Sequence, residues 1–188
     1  VYPENGCSVF AVKNITINAQ PSAQFVPTAV ATCVGTPITL NVTAYDPSAT
    51  YTWNLGGGIG GGTQQNQVAT WNTPGNKTVT LTVTKNGCTG TQSIPVTVEA
   101  PLLPTTVSCQ STTLSSVTFT WTPVAGATLY DVYANGSLSE ANVSANTFTI
   151  AGLDQGEQVS LTVVAVGTGA CGNSTQSAPQ TCIAQNCP

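Results

Sequence analysis

Apolar and polar residues alternate along most of this chain, in short segments separated by turn signals. Dipeptides that favour turns lie between the segments, among them Asp46-Pro47, Pro74-Gly75, Asn86-Gly87 and Asn135-Gly136. No stretch has a convincing helical period with caps. Eight segments alternate or are rich in Val, Ile and Thr, which predicts β-strands over residues 37–44, 50–55, 76–84, 93–98, 116–122, 128–134, 147–150 and 159–166.

The number and spacing of these strands predict an all-β protein made of tandem Ig-like antiparallel β-sandwiches. The 188 residues suit two sandwiches of about 100 residues each. Residues 99–104 (EAPLLP) contain two prolines, which stiffen a segment and prevent strand pairing. We therefore expect a linker there and a domain boundary between residues 100 and 101.

A repeat lies upstream of this boundary. Asn5-Gly6-Cys7 is followed by Ile15-Thr16-Ile17 at the same offset at which Asn86-Gly87-Cys88 is followed by Val96-Thr97-Val98. The two segments align without a gap, 81 residues apart, a period that suits one sandwich. The pattern predicts a strand, an Asn-Gly hairpin turn and a last edge strand. Residues 1–18 are then the end of a truncated preceding domain, followed by domains at 19–100 and 101–188; the alternative is an ordinary N-terminal strand.

Composition excludes several classes of function. Only 5% of residues are charged, with three Lys and no Arg, so the chain cannot neutralise many phosphates and no nucleic-acid partner is expected. No apolar run reaches 18 residues, so membrane insertion is not expected. Without His there is no Ser-His-Asp or Cys-His pair, and the seven carboxylates are scattered. We expect no enzyme, no cofactor and no metal site, and we interpret the chain as a mature product or fragment because Val1 is not a natural start.

Seven cysteines in a chain without His favour disulfides over zinc, since no C-x₂-C pair is present. Disulfides form in oxidising compartments, which predicts a secreted protein, extracellular or at the cell surface. The odd count leaves one cysteine without a partner in the chain.

Residues 19–100 resemble the PKD family of Ig-like domains. The resemblance rests on Phe25, Cys33-Val34-Gly35, the stretch from Tyr51 to Gly58, the stretch from Thr73 to Val83, and Asn86-Gly87-Cys88. The family usually has W-D-F-G-D-G where this chain has Trp53 to Gly58. Asn54 and Gly57 replace the two carboxylates, so a calcium role is not carried over.

Residues 101–184 resemble a fibronectin type III domain, through the segments 117–121, 126–132, 152–156 and 159–166. The cysteine-bearing frame resembles repeats of giant secreted proteins of Bacteroidetes-type bacteria. That resemblance implies a structural or adhesive segment of a cell-surface protein or filament, linked to gliding adhesins and type IX secretion. Its partners would be neighbouring domains or other copies, with surface glycans as a further candidate. The alternative is an accessory spacer or carbohydrate-binding module of an extracellular enzyme.

The repeat makes Cys7 equivalent to Cys88, so Cys7 is the unpaired cysteine and Cys33–Cys88 is the expected bond of the first complete domain. In a simple Ig topology these two lie near opposite ends, whereas a disulfide needs Cα atoms within about 7 Å. Either the path before Cys33 doubles back, or one of the two bridges to a neighbouring domain. By the type III resemblance Cys109 and Cys171 share one end and are expected partners, which leaves Cys182–Cys187.

Two further features carry structural expectations. Trp53, Trp71 and Trp121 are interpreted as core aromatics of the sandwiches. The glycine-rich run 56–62 (GGGIGGG) lacks the Lys and Ser/Thr of a phosphate loop and is interpreted as a flexible hairpin tip, with a close backbone contact to a partner as the alternative.

Overall fold

A computed structural model describes residues 12–187 of the chain. These residues form β-strands, turns and loops, and no helix among them is long and apolar enough to cross a membrane. The prediction of tandem β-sandwiches is confirmed: there are two pairs of packed sheets, each around its own hydrophobic cluster. The first cluster draws on side chains between Ala23 and Val98, and the second on side chains between Val107 and Ala184.

The first sandwich contains eight strands in two four-stranded sheets. One sheet has the order β1-β3-β6-β5 and the other β2-β8-β7-β4. The strands are β1 (Phe25–Pro27), β2 (Ala31–Cys33), β3 (Ile38–Val42), β4 (Thr50–Asn54), β5 (Ile59–Gly60), β6 (Gln67–Thr70), β7 (Gly75–Lys85) and β8 (Cys88–Glu99).

The second sandwich contains seven strands. A three-stranded sheet has the order β13-β10-β9, and a four-stranded sheet has the order β12-β11-β14-β15. The strands are β9 (Val107–Thr112), β10 (Ser116–Trp121), β11 (Leu129–Ala134), β12 (Ser137–Val143), β13 (Thr147–Ala151), β14 (Gln158–Val166) and β15 (Gln180–Ile183).

The sequence pattern explains these strands. All eight predicted segments are strands, and in β3, β10 and β14 every second side chain is buried, as the alternation requires. Both Asn-Gly dipeptides form the predicted tight hairpin turns. Asn86 and Gly87 have φ of 48° and 79°, and Asn135 and Gly136 have 49° and 80°. Two consecutive positive φ angles are the signature of a type I′ turn, which matches the twist of the flanking strands.

The pairing of β2 with β8 departs from the antiparallel expectation. β1 pairs with β3 in one sheet, but β2 runs parallel to β8 in the other, with Cys33 opposite Glu99. The first edge of the domain therefore switches sheets between β1 and β2. This switch places Cys33 at the end of the first sandwich from which the linker leaves.

The glycine-rich run is not a free hairpin tip. It contains the edge strand β5, and its backbone packs on the Trp71 side chain, which donates a hydrogen bond to the Leu55 carbonyl at 2.8 Å. A Cβ atom at Gly58 would lie 2.7 Å from the indole nitrogen of Trp71. The close backbone contact is thus made within the domain, and glycine is required at this position to let strand and ring approach.

Candidate functional site

The disulfides differ from the sequence-based pairing. Cys33 is bonded to Cys171, with Cα atoms 4.7 Å apart, and Cys109 is bonded to Cys182, with Cα atoms 5.9 Å apart. The expected pairs Cys33–Cys88, Cys109–Cys171 and Cys182–Cys187 are therefore wrong. Of the two alternatives left open for the first domain, the bridge to a neighbouring domain is the one observed.

Strand geometry explains why Cys33 cannot reach Cys88. Cys33 lies opposite Glu99, the last residue of β8, whereas Cys88 is the first residue of that strand. A strand rises about 3.3 Å per residue, so the two cysteines lie about 36 Å apart along β8.

Cys109 bonds to Cys182 because both lie within strands at the same open side of the second sandwich. β9 and β15 belong to different sheets but lie next to each other, and Gln185 N–H donates to the Thr113 carbonyl at 2.7 Å just beyond the two strands. The bond thus joins one edge of each sheet. The signal missed in the sequence was that Cys109 lies two residues inside its strand rather than at its start.

Two cysteines in the described part of the chain carry no disulfide. Cys88 is partly exposed at the turn between β7 and β8, and Cys187 is exposed near Gln155, whose side-chain oxygen accepts a hydrogen bond from the Cys187 N–H at 3.3 Å. Cys7 lies outside the described residues.

The Cys33–Cys171 bond crosses the joint between the sandwiches, and Glu99 reinforces it on both sides. The Glu99 carbonyl accepts a hydrogen bond from Val34 N–H at 3.0 Å within the first sandwich. Its carboxylate oxygen Oε2 accepts one from Ala170 N–H at 2.5 Å in the loop between β14 and β15. The Cys171 sulfur lies 3.4 Å from the Glu99 carbonyl oxygen.

The linker supplies an apolar contact at the same joint. Leu102 packs against the core cluster of the second sandwich. A Cβ atom at Gly126 would lie 3.3 Å from one Leu102 methyl, and one at Gly167 would lie 3.0 Å from the other. Leu102, Glu99 and these loops surround a cavity of about 350 Å³. The linker thus follows the surface of the second sandwich rather than spanning a gap.

The two sandwiches are connected twice, which restricts their relative orientation more than a single linker can. The backbone connects the sandwiches through residues 100–106, and the disulfide connects them a second time at Cys33 and Cys171. The sandwiches are thus joined by two covalent crossings, with a carboxylate–amide hydrogen bond between them. This arrangement couples the two domains mechanically.

The opposite end of the first sandwich carries an ion pair between Lys85 and Asp46. The hydrogen bond from Lys85, helped by two from Ser48, lowers the pKa of Asp46 from 3.8 to about 2. Both side chains are about one-third exposed, so the pair is screened by solvent.

The three tryptophans are buried as expected, at 7% exposure for Trp53, 1% for Trp71 and 3% for Trp121. They therefore serve the cores. No group of three metal-binding side chains occurs among residues 12–187.

Comparison with known proteins identifies a matching family profile and similar solved structures. The profile of the PKD domain family matches residues 18–98. A crystal structure of titin domains is similar over 84% of this chain, with a TM-score of 0.52 and 16% identity, and this chain covers 62% of its length. Fibronectin(III)-like modules of CbhA from Clostridium thermocellum align over 86% of this chain and 94% of their own, with a TM-score of 0.47 and 14% identity. Comparison with curated protein sequences returned no match.

The PKD match and the tandem sandwich fold support a PKD-type domain within a tandem of Ig-like sandwiches. Such domains are generally non-catalytic, and they suggest a structural or spacer-like extracellular module. The two disulfides likewise suggest a secreted or extracellular protein.

Proposed function

We propose that this chain is a stiff structural segment of a large secreted cell-surface protein, in which sandwiches linked by disulfides form a stalk for adhesion. Its partners are neighbouring domains of the same protein or other copies of it. The observation that carries the proposal is the disulfide between Cys33 and Cys171, because a bond across a joint acts on the orientation of two domains.

The low charge of the chain supports the same role. Three Lys and seven acidic residues are spread over 188 residues, so few ions need to be desolvated when surfaces pack side by side. Contacts of this kind are little screened by salt. Adhesion or assembly should therefore change little between low and high ionic strength, and a steep salt dependence would count against the proposal.

The stiffness of the joint can be tested by residual dipolar couplings of the natural chain in a dilute aligned medium. If the joint is stiff, one alignment tensor describes both sandwiches. In Cys33→Ser/Cys171→Ser the two sandwiches should need tensors of different magnitude, because the linker is then their only covalent connection. The matched control is Cys109→Ser/Cys182→Ser, which removes a disulfide inside the second sandwich and should keep the single tensor.

Separate tensors in the natural oxidised chain would contradict a stiff stalk. A glycan array with the same protein tests the accessory-module alternative. Tight binding to one polysaccharide would favour a carbohydrate-binding module, whereas the stalk proposal predicts no glycan bound above background by this segment.

A further inference from the structure

The sulfur of Cys88 makes the same contact as the sulfur of Cys171. Cys171 lies 3.4 Å from the backbone oxygen of Glu99, and Cys88 lies 3.6 Å from the backbone oxygen of Asn18. The repeat makes Asn18 equivalent to Glu99, since both lie eleven residues after the cysteine of an Asn-Gly-Cys motif. Each cysteine therefore lies on the residue that ends the preceding repeat.

The surroundings of the two cysteines are also alike. Cys88 follows the turn between β7 and β8, and Cys171 lies in the loop between β14 and β15, the last connection of each sandwich. A cavity of about 440 Å³ lies beside Asn18, bounded by the turn after β3 and by Lys85 and Asn86. The cavity of about 350 Å³ at the observed joint is bounded by the corresponding elements around Glu99.

The segment before Asn18 carries an uncovered apolar pattern. Ile15 is 79% exposed and Ile17 is 90% exposed. Their repeat equivalents, Val96 and Val98, are 1% and 2% exposed because they line the core of the first sandwich. Ile15 and Ile17 would be buried in the same way if the other strands of their sandwich preceded them in the chain.

We propose that Cys88 forms a second interdomain disulfide, with the cysteine that corresponds to Cys33 in a preceding PKD-like sandwich. Ile15 and Ile17, which belong to no strand in this structure, would then lie in the last strand of that sandwich. In the observed joint Cys33 lies opposite Glu99, so its counterpart would lie opposite Asn18, where the Cys88 sulfur is. This inference rests on the proposed function and extends it: a disulfide joins each pair of neighbouring domains.

Bond formation follows ordinary thiol–disulfide exchange. The two thiols each lose a proton, and their two electrons pass to a small-molecule disulfide such as oxidised glutathione, which leaves as two thiols. Other cysteines of the chain are poorly placed. Cys33 lies about 36 Å away along β8, and Cys187 lies beyond β15 of the second sandwich. Cys7 precedes Asn18 by eleven residues, as Cys88 precedes Glu99, so in the proposed preceding sandwich it would take the repeat position of Cys88.

The test extends the intact chain rather than cutting it. Because Val1 occupies the repeat position of Thr82, a copy of residues 19–81 joined in front of Val1 completes the preceding sandwich and supplies a copy of Cys33. After folding with reduced and oxidised glutathione, peptide mapping without reduction should find the added cysteine bonded to Cys88. Native alkylation of Cys88 by N-ethylmaleimide, complete in the natural chain, should be lost in the extended one.

The control is the same extended chain with the added cysteine replaced by Ser, in which Cys88 should again be alkylated. If the hybrid sandwich does not fold, a second version with a full copy of residues 19–99 in front of Ala19 supplies an unaltered domain. Alkylation of Cys88 in a folded extended chain, or a Cys7–Cys88 bond, would overturn the inference. The same map reports Cys33–Cys171, so loss of the second staple is distinguishable from loss of the observed joint.

Discussion

The disulfide across the joint predicts how the chain extends under force. When the two ends are pulled, the load runs to Cys33, crosses to Cys171 and leaves through the remaining residues. The residues between these two cysteines, 138 apart in sequence, bear no load. Only β1, β2 and β15 lie outside this loop. Most of both sandwiches is therefore protected from forced unfolding while the bond is intact.

The magnitude follows from the length of chain that the bond bypasses. An extended chain spans at most about 3.3–3.6 Å per residue, so reduction of both disulfides should lengthen the fully stretched molecule by about 450–500 Å. In Cys33→Ser/Cys171→Ser the bond Cys109–Cys182 still bypasses 73 residues. The gain is then about 65 residues, or about 210–230 Å.

Single-molecule force spectroscopy of the chain held at both ends measures these lengths. The matched control is Cys109→Ser/Cys182→Ser, which should stretch no further than the natural chain, because the load path through Cys33 and Cys171 does not use that bond. Equal stretched lengths for the oxidised and reduced natural chain would refute the load path. So would a gain in the control variant.

Three further predictions concern the individual sandwiches. Gly58→Ala should lower the free energy of unfolding by about 1–3 kcal/mol in urea titrations, because the new Cβ would lie 2.7 Å from the indole nitrogen of the buried Trp71. The loss should be smaller when Trp71→Phe is added. An unchanged unfolding midpoint in Gly58→Ala would contradict the contact. Cys109→Ser/Cys182→Ser should lower the free energy of unfolding by about 2–5 kcal/mol. Cys187→Ser, which breaks no bond, should leave the melting curve unchanged. Lys85→Met should raise the pKa of Asp46 from about 2 towards 3.8 in a carboxyl NMR titration. Because the folded pKa is the lower one, the natural chain should lose this contribution to stability as the pH falls from about 4 to 2, and the loss should be smaller in the variant, which keeps only the Ser48 hydrogen bonds.

The long strands could be predicted from the sequence because their alternation is sustained. β14 buries every second side chain from Val159 to Ala165 and β7 does so from Val79 to Val83, and such a pattern has one interpretation. β1 and β2 have only three residues each, too few to show a period. Their existence, and the switch between sheets that separates them, depends on pairing with strands far along the chain.

The candidate site depended on that switch. The sequence supplied the cysteines, the linker and the repeat, and it showed that Cys33 and Cys88 would lie near opposite ends of one domain. It did not show that β2 runs parallel to β8, which places Cys33 beside Glu99 at the joint. The partner of Cys33 was set by contacts between two domains, which no periodicity within either one encodes.

The most direct measurement of the interdomain staple is a disulfide map of the natural chain. With Lys13, Lys77 and Lys85 as its only basic residues, the chain offers trypsin few sites, so pepsin at low pH is the better protease and also suppresses thiol exchange. Mass spectrometry without reduction should find one peptide pair joining Cys33 to Cys171 and another joining Cys109 to Cys182. A pair joining Cys33 to Cys88, or Cys109 to Cys171, would contradict a covalent bond across the joint.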